Sequence, residues 1–218
     1  MFYKSSIISA FFLALTLSQT AMAEELKVKI APKLSQISVQ HNGEPVTIKR
    51  NQDQSNTIDK DYALTSRACP PFCIQPIKVA PGVTTIGELE MLDFLQRKSA
   101  GDGSILVIDS RTPDWVAKGT IPGSINLPWT KLHPQSDGYR PLEVEGILNS
   151  QFHAANNAGI WDFSEAKTLI LFCNGLWCGQ SPTNLKALVN LGYPAHKLFW
   201  YRGGMQAWKS LGLTTVKP

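Results

Sequence analysis

Two short runs constrain the fold of this chain more than any other feature. Residues 105–108, Ile-Leu-Val-Ile, are continuously apolar and end on Asp109. Residues 168–172, Thr-Leu-Ile-Leu-Phe, are nearly so and run into Cys173. A strand with one wet face alternates apolar and polar residues, so a run without alternation suits a strand covered on both faces. Around these runs the period changes. Leu89, Leu92 and Leu95 continue an apolar helix face behind a capping-box pair, Thr85 and Glu88. Thr112-Pro113-Asp114 opens a short helix that ends at Gly119. Further helices are expected over about residues 142–155, from Ser181-Pro182 to Leu191-Gly192, and over 205–211 behind Gly203-Gly204. Short strands are expected at 124–127 and 197–201. Strands alternating with helices from residue 84 onward imply an α/β domain with a parallel sheet.

The residues before 84 read differently. Lys4, a short apolar run at 7–17 and Ala21-Met22-Ala23 ahead of Glu24 and Glu25 form a secretory signal pattern, with cleavage expected after Ala23. The run is shorter than the roughly 20 residues a bilayer span needs. The expected mature protein is therefore periplasmic or secreted, with no membrane segment left after cleavage. Residues 24–83 form an N-terminal extension. Residues 26–30 alternate apolar and Lys, and residues 37–40 and 46–48 flank Asn42-Gly43 as a β-hairpin. Residues 51–66 are polar and loop-like, and the prolines at 70–81 make that stretch extended. The expected division is 1–23 signal peptide, 24–83 extension and 84–218 α/β domain. Apolar residues are 43% and charged residues 17%, which places the chain among globular proteins. The net charge of +4 is scattered, with no Lys/Arg block, so no nucleic-acid partner is expected.

Export changes the meaning of the four cysteines, Cys69, Cys73, Cys173 and Cys178. In an oxidising compartment an even count suggests disulfides, with three pairings open. Zinc is disfavoured because neither close pair has the usual C-x2-C spacing. His41, His133, His153 and His196 share no metal spacing, so no metal or other cofactor is expected. Cys69-Pro70-Pro71-Phe72-Cys73 reads as a local structural disulfide, or as a second dithiol taking part in exchange.

Cys173 stands where a buried strand ends and a helix is about to begin. The carboxyl ends of parallel strands are where ligands bind. The intervening loop, Asn174-Gly175-Leu176-Trp177-Cys178-Gly179-Gln180, is short enough to curl round the sulfur, with Ser181 opening the helix. Its two glycines are expected to take positive φ and turn N–H groups inward, and the helix N-terminus adds a positive dipole end. Both favour a thiolate and would hold a persulfide. Asp109 and Arg111 are expected to orient loops, Gly203-Gly204 to permit close backbone packing, and Trp208 to anchor the last helix.

Residues 104–128 resemble the first signature of the rhodanese family. Asp109, Arg111, Gly119, Ile121-Pro122-Gly123, Ile125-Asn126 and Pro128 match, while Thr120 replaces the usual His. Residues 168–212 resemble the second half, with the Cys-bearing strand end, Leu191-Gly192-Tyr193, Gly203-Gly204-Met205 and Trp208 in order. The resemblance covers about residues 84–216. It implies a five-stranded parallel sheet flanked by helices, and sulfane sulfur carried as a persulfide on Cys173. A small sulfur donor and a thiol or protein acceptor would be the partners.

The loop departs from the family. It is about two residues longer than usual, and no Lys or Arg lies between Cys173 and Ser181, so thiosulfate lacks the usual cations. The sixth residue after Cys173 is Gly179 rather than Arg, which argues against the related phosphatases. Cys178 lies inside the loop. It reads as a resolving thiol for a Cys173 persulfide, as half of a resting disulfide, as a partner for Cys69 or Cys73, or as an inert packed thiol. Trp177 reads as a wall of the site or as packing over the loop. The leading expectation is a sulfurtransferase; the alternatives are a thiol–disulfide redox protein using Cys173 and Cys178, and a non-catalytic module that binds a partner.

Overall fold

The computed structural model describes residues 26–218, so the expected signal peptide lies outside the described residues. Asn42 and Gly43 turn the chain with φ of 52° and 85°, as a type I′ hairpin requires. They join β1 (Gln36–His41) to β2 (Glu44–Lys49), with Ile37 opposite Ile48 and Val39 opposite Val46. Residues 26–30 form no strand despite their alternation. The Gln52 side chain bonds both the N–H and the C=O of Val28, taking the place of a ladder partner. After a single turn, α1 (Lys60–Ala63), the chain runs irregularly through the Cys69–Cys73 disulfide.

The main sheet begins with β3 (Thr84–Ile86), followed by α2 (Glu88–Ser99). The capping pair falls two residues later than the spacing suggests. Thr85 lies in β3, and the Glu90 carboxylate accepts the Gly87 N–H at 3.0 Å. The buried stripe of α2 is Met91, Leu92, Phe94 and Leu95, while Leu89 is 54% exposed. Steps of three drift round a helix of 3.6 residues per turn, so Leu89 stands about 120° from Leu95 and leaves the covered face.

Next come β4 (Ile105–Asp109), α3 (Pro113–Val116), β5 (Ile125–Asn126), α4 (Trp129–Leu132) and α5 (Pro141–Gly146). The helix expected over 142–155 is shorter. It passes into a π turn at Ile147–Gln151, and His153 ends it with φ of 58°. Ala155 belongs instead to β6 (Ala155–Asn157), which pairs with β7 (Ile160–Asp162) in a small hairpin. The chain then enters β8 (Thr168–Phe172), α6 (Gln180–Asn190), β9 (Leu198–Tyr201) and α7 (Gly204–Ser210).

The five long-range strands are all parallel, in the order β3-β9-β8-β4-β5. Successive residues of each inner strand enter opposite cores. Leu106, Ile108, Leu169, Leu171 and Trp200 pack on one face with Leu185 and Leu188 of α6. Ile105, Val107, Ile170 and Phe172 pack on the other with α2, with Met205 and Trp208 of α7, and with Ile37, Val39 and Ile48 of the hairpin. This is the covering of both faces that the unbroken apolar runs require. From β4 the chain moves outward to β5, and from β8 it moves the opposite way to β9. The crevice between the carboxyl ends of β4 and β8 is therefore the topological switch point of the sheet. Among the described residues no helix is long and apolar enough to cross a membrane.

Candidate active site

Cys173 follows β8 directly at that switch point and is 2% exposed. Its carbonyl accepts the Met205 N–H at 2.9 Å, and the Asn174 carbonyl accepts that of Gln206 at 2.8 Å. The first turn of α7 thus pins the start of the loop. Gly204 makes the approach possible, with φ of 55°, since a Cβ there would stand 2.3 Å from the Cys173 carbonyl oxygen. The close-packing role expected of this glycine pair is what the backbone shows.

The loop glycines work differently from expectation. Gly179 has φ of −84° and caps α6, and Gly175 is not among the residues with positive φ. Gly175 is needed for space: a Cβ would lie 2.9 Å from Gln206 Oε1. The loop closes instead on the Cys178 N–H, which donates to the Gly175 carbonyl at 2.9 Å. Helix α6 begins at Gln180, one residue before the expected Ser181-Pro182 start. Ser181 therefore lies within the first turn, fully buried, and donates its hydroxyl to Cys173 Sγ at 3.1 Å. The Trp200 indole N–H donates to the same hydroxyl oxygen at 3.0 Å and fixes its direction.

Burial alone pushes the Cys173 thiol up. Against it act the Cys178 thiol, the Ser181 hydroxyl and the backbone N–H groups of Ser181 and Gly175, and the net shift is below the ordinary thiol value. Cys178 moves the opposite way. Burial, its hydrogen bond to Cys173 and the repulsion of a Cys173 thiolate hold it well above that value. Of the two sulfurs, Cys173 is the more acidic. Both cysteines are free thiols, so the pairings of Cys178 with Cys69 or Cys73 do not occur. Cys69 and Cys73 are bridged to each other, the local disulfide among the pairings considered.

Behind the loop, Arg111 is fully buried and pairs with the Asp109 carboxylate through Nε and Nη2, the shortest contact being 2.6 Å. It also donates to the Gly119 carbonyl, the Tyr62 hydroxyl and Asn174 Oδ1 at 2.7, 2.8 and 3.4 Å. Thr120, in place of the family's His, donates its hydroxyl to Asp109 at 2.7 Å. Burial raises the Tyr62 phenol to about 12, so it stays protonated while it receives the Arg111 N–H. Arg111 and Asp109 hold the loop from below, as expected of them.

Above the loop lies a cavity of about 240 Å3. Asn174, Trp177, Cys178, Gly179 and Gln180 form its floor with Thr183, and Pro71, Phe72, Trp115 and Trp129 complete the wall. Cys178 lines this space, while Cys173 lies beneath it. Leu176 points away and is 45% exposed. Trp177 donates to Gln206 Oε1 at 2.9 Å and meets Phe72 edge-on, so it is both wall and packing. Tyr62, Phe72, Trp115, Trp129 and Gln206 had carried no sequence signal, because they come from separate segments and share no motif with the loop.

Fold and site together define an α/β domain built round a cysteine at the end of its central strand. Residues 92–211 match the family model of the rhodanese-like domain, and the chain belongs to that family. Among curated proteins no sequence matches it. Among solved structures it is similar to a protein of unknown function from Rhodopseudomonas palustris, described as a possible tyrosine phosphatase, at 21% identity. That match covers 63% of this chain and 88% of the other, with a TM-score of 0.41. It is similar also to the As-Sb reductase from Leishmania major, at 23% identity over 58% and 76% of the two chains, with a TM-score of 0.40. The human single-domain sulfurtransferase shares 20% identity over 58% and 95%, with a TM-score of 0.34.

Proposed function

We propose that this protein is a sulfurtransferase that carries sulfane sulfur as a persulfide on Cys173. The observation that carries this reading is the seat of Cys173 Sγ at the start of α6: the Ser181 hydroxyl donates to it at 3.1 Å, the thiol form donates to the Cys178 carbonyl at 3.3 Å, and the Cys178 thiol with the backbone N–H groups of Ser181 and Gly175 draws its pKa down. Those donors favour a thiolate that attacks a sulfane sulfur, and the same donors would hold the outer sulfur of the product. A small sulfur donor loads the site and a thiol, free or on a protein, unloads it. The acceptor thiol takes the outer sulfur and Cys173 returns to the thiol form. Cys178 supplies a second exit: it attacks Cys173 Sγ of the persulfide, hydrogen sulfide leaves, and a Cys173–Cys178 disulfide remains. The reaction takes place outside the cytoplasm if residues 1–23 act as the export signal.

The burial of two free thiols in one loop, with Cys173 Sγ donating to the Cys178 carbonyl at 3.3 Å, favours a second reading, a thiol–disulfide redox protein that cycles this pair. One experiment separates the two. Reduced protein is treated with thiosulfate, mercaptopyruvate or polysulfide, and intact mass and peptide mapping are read. Gain of one sulfur on Cys173 is the expected result. No gain from any donor, together with a Cys173–Cys178 disulfide in equilibrium with glutathione, would establish the redox reading instead.

A further inference from the structure

Part of the cavity wall comes from outside the segment that matches the family. Pro71 and Phe72 lie between the bridged Cys69 and Cys73, some twenty residues before the match begins. This strap is seated firmly on the loop. Phe72 meets Trp177 edge-on at 5.6 Å, and the Arg67 guanidinium lies over both rings at 5.0 and 4.4 Å. The Gln75 N–H donates to the Leu176 carbonyl at 2.8 Å, and Arg202 donates to the Gln75 carbonyl at 2.6 Å.

The strap completes a cavity of unusual character for a site that handles small sulfur anions. One phenylalanine, three tryptophans and a proline line it, and no charged side chain does. The nearby cations stand outside the lining, although Arg67, whose Nε has no partner, and Lys118 lie over rings of its wall. Arg111 is paired with Asp109, Lys118 with Asp61, and Arg67 lies against the aromatic rings. Of the polar lining groups, Asn174 Oδ1 is taken by Arg111 and Thr183 donates to the Gly179 carbonyl. Gln180 Oε1 is buried without a partner, and the amide N–H groups of Asn174 and Gln180 are neutral donors that carry no charge. A dianion of acceptors only, such as thiosulfate, would lose its hydration here for no counter-charge. An apolar or aromatic group would gain from leaving water.

We infer that the cavity takes an organosulfur donor whose apolar or aromatic group rests against Phe72 and the tryptophans, and that the Cys69–Cys73 strap sets this specificity. The inference rests on the sulfurtransferase reading above. Cys173 lies beneath the cavity floor, so the transfer requires the loop to give way at Cys178; the Cys173 thiolate then forms a bond to the sulfane sulfur of the donor. The bond from that sulfur to the organic group breaks, and its electron pair leaves with the organic group, as a thiolate from a persulfide or a sulfinate from a thiosulfonate. No outside oxidant or reductant is consumed.

Benzenethiosulfonate and thiosulfate form a matched pair, since a phenyl ring replaces one charged oxygen. Each is offered to the reduced protein, with the Cys69–Cys73 bridge intact by mass, and the rate of sulfur gain on Cys173 is followed. The thiosulfonate should load about tenfold faster, a difference modest for a buried ring. Phe72→Ala should lower the ratio of the two rates by about tenfold, and Phe72→Tyr should restore most of it. Loss of packing alone would slow both donors together and leave the ratio unchanged, which would overturn the strap's role. Equal loading by the two donors in the unaltered protein would overturn the substrate class. If inorganic polysulfide loads Cys173 and the thiosulfonate does not, only this inference falls. If no donor loads it, the sulfurtransferase reading falls first and the inference with it.

Discussion

At the scale of single residues, the site depends on how hydrogen-bond donors are shared between two sulfurs. Ser181 receives the Trp200 indole N–H and passes its own proton toward Cys173. Removing that hydroxyl leaves a buried thiolate with fewer donors, so Ser181→Ala should raise the pH at which Cys173 ionises. The sign follows from the folded state: the Cys173 value lies below that of an unfolded thiol, so ionisation is favoured by folding and is lost as pH falls through the folded value. Ultraviolet thiolate absorbance against pH would show a first step below the ordinary thiol range, assigned to Cys173 by its absence in Cys173→Ser. In Ser181→Ala that step should move upward. An unmoved step would mean that the hydroxyl does not stabilise the thiolate. Ser181 was legible as a helix-opening residue. That its hydroxyl faces the sulfur was not, because it depends on the helix starting one residue earlier.

At the scale of elements, the hairpin of β1 and β2 is built into the second core rather than appended to it. Ile37, Val39 and Ile48 are buried among Met91, Leu92 and Leu95 of α2. Ile48 is fully buried, so Ile48→Ala should cost about 2–5 kcal/mol of global stability. Chemical denaturation followed by tryptophan fluorescence would show a lower midpoint with an unchanged slope. A hairpin that unfolds on its own would leave the main midpoint where it was. The hairpin itself was plain from Asn42-Gly43 and the alternation around it. The strands β4 and β8 were plain from their unbroken apolar runs. The helix expected over 142–155 was not read correctly, because apolar spacing continues through Ile147 and Leu148 while the hydrogen bonding changes to a π turn. Periodicity reports which side chains face inward and is nearly blind to which carbonyl each N–H chooses.

At the scale of the whole molecule, the N-terminal extension reaches the site through the Cys69–Cys73 strap, so what precedes the matched family segment shapes what the cysteine meets. The same scale decides where the protein works. Expression of the full sequence in a bacterial host should place a periplasmic product whose first residue is Glu24, read by N-terminal sequencing after osmotic shock. A product that keeps Met1 or stays in the cytoplasm would contradict export. Export also bears on the redox state, since a bridged Cys69–Cys73 pair persists in an oxidising compartment.

The sequence by itself determined the parallel α/β domain, the position of Cys173 at a strand end, and the presence of Cys178 in the same loop. These are local properties: unbroken apolar runs, turn residues and spacing act within a few residues of themselves. Only the tertiary structure decided which sulfur lines the cavity, which donors reach Cys173, and that Phe72, Trp115 and Trp129 stand over the loop. Those facts require segments up to about a hundred residues apart to meet, and packing brings them together without leaving a pattern in either segment.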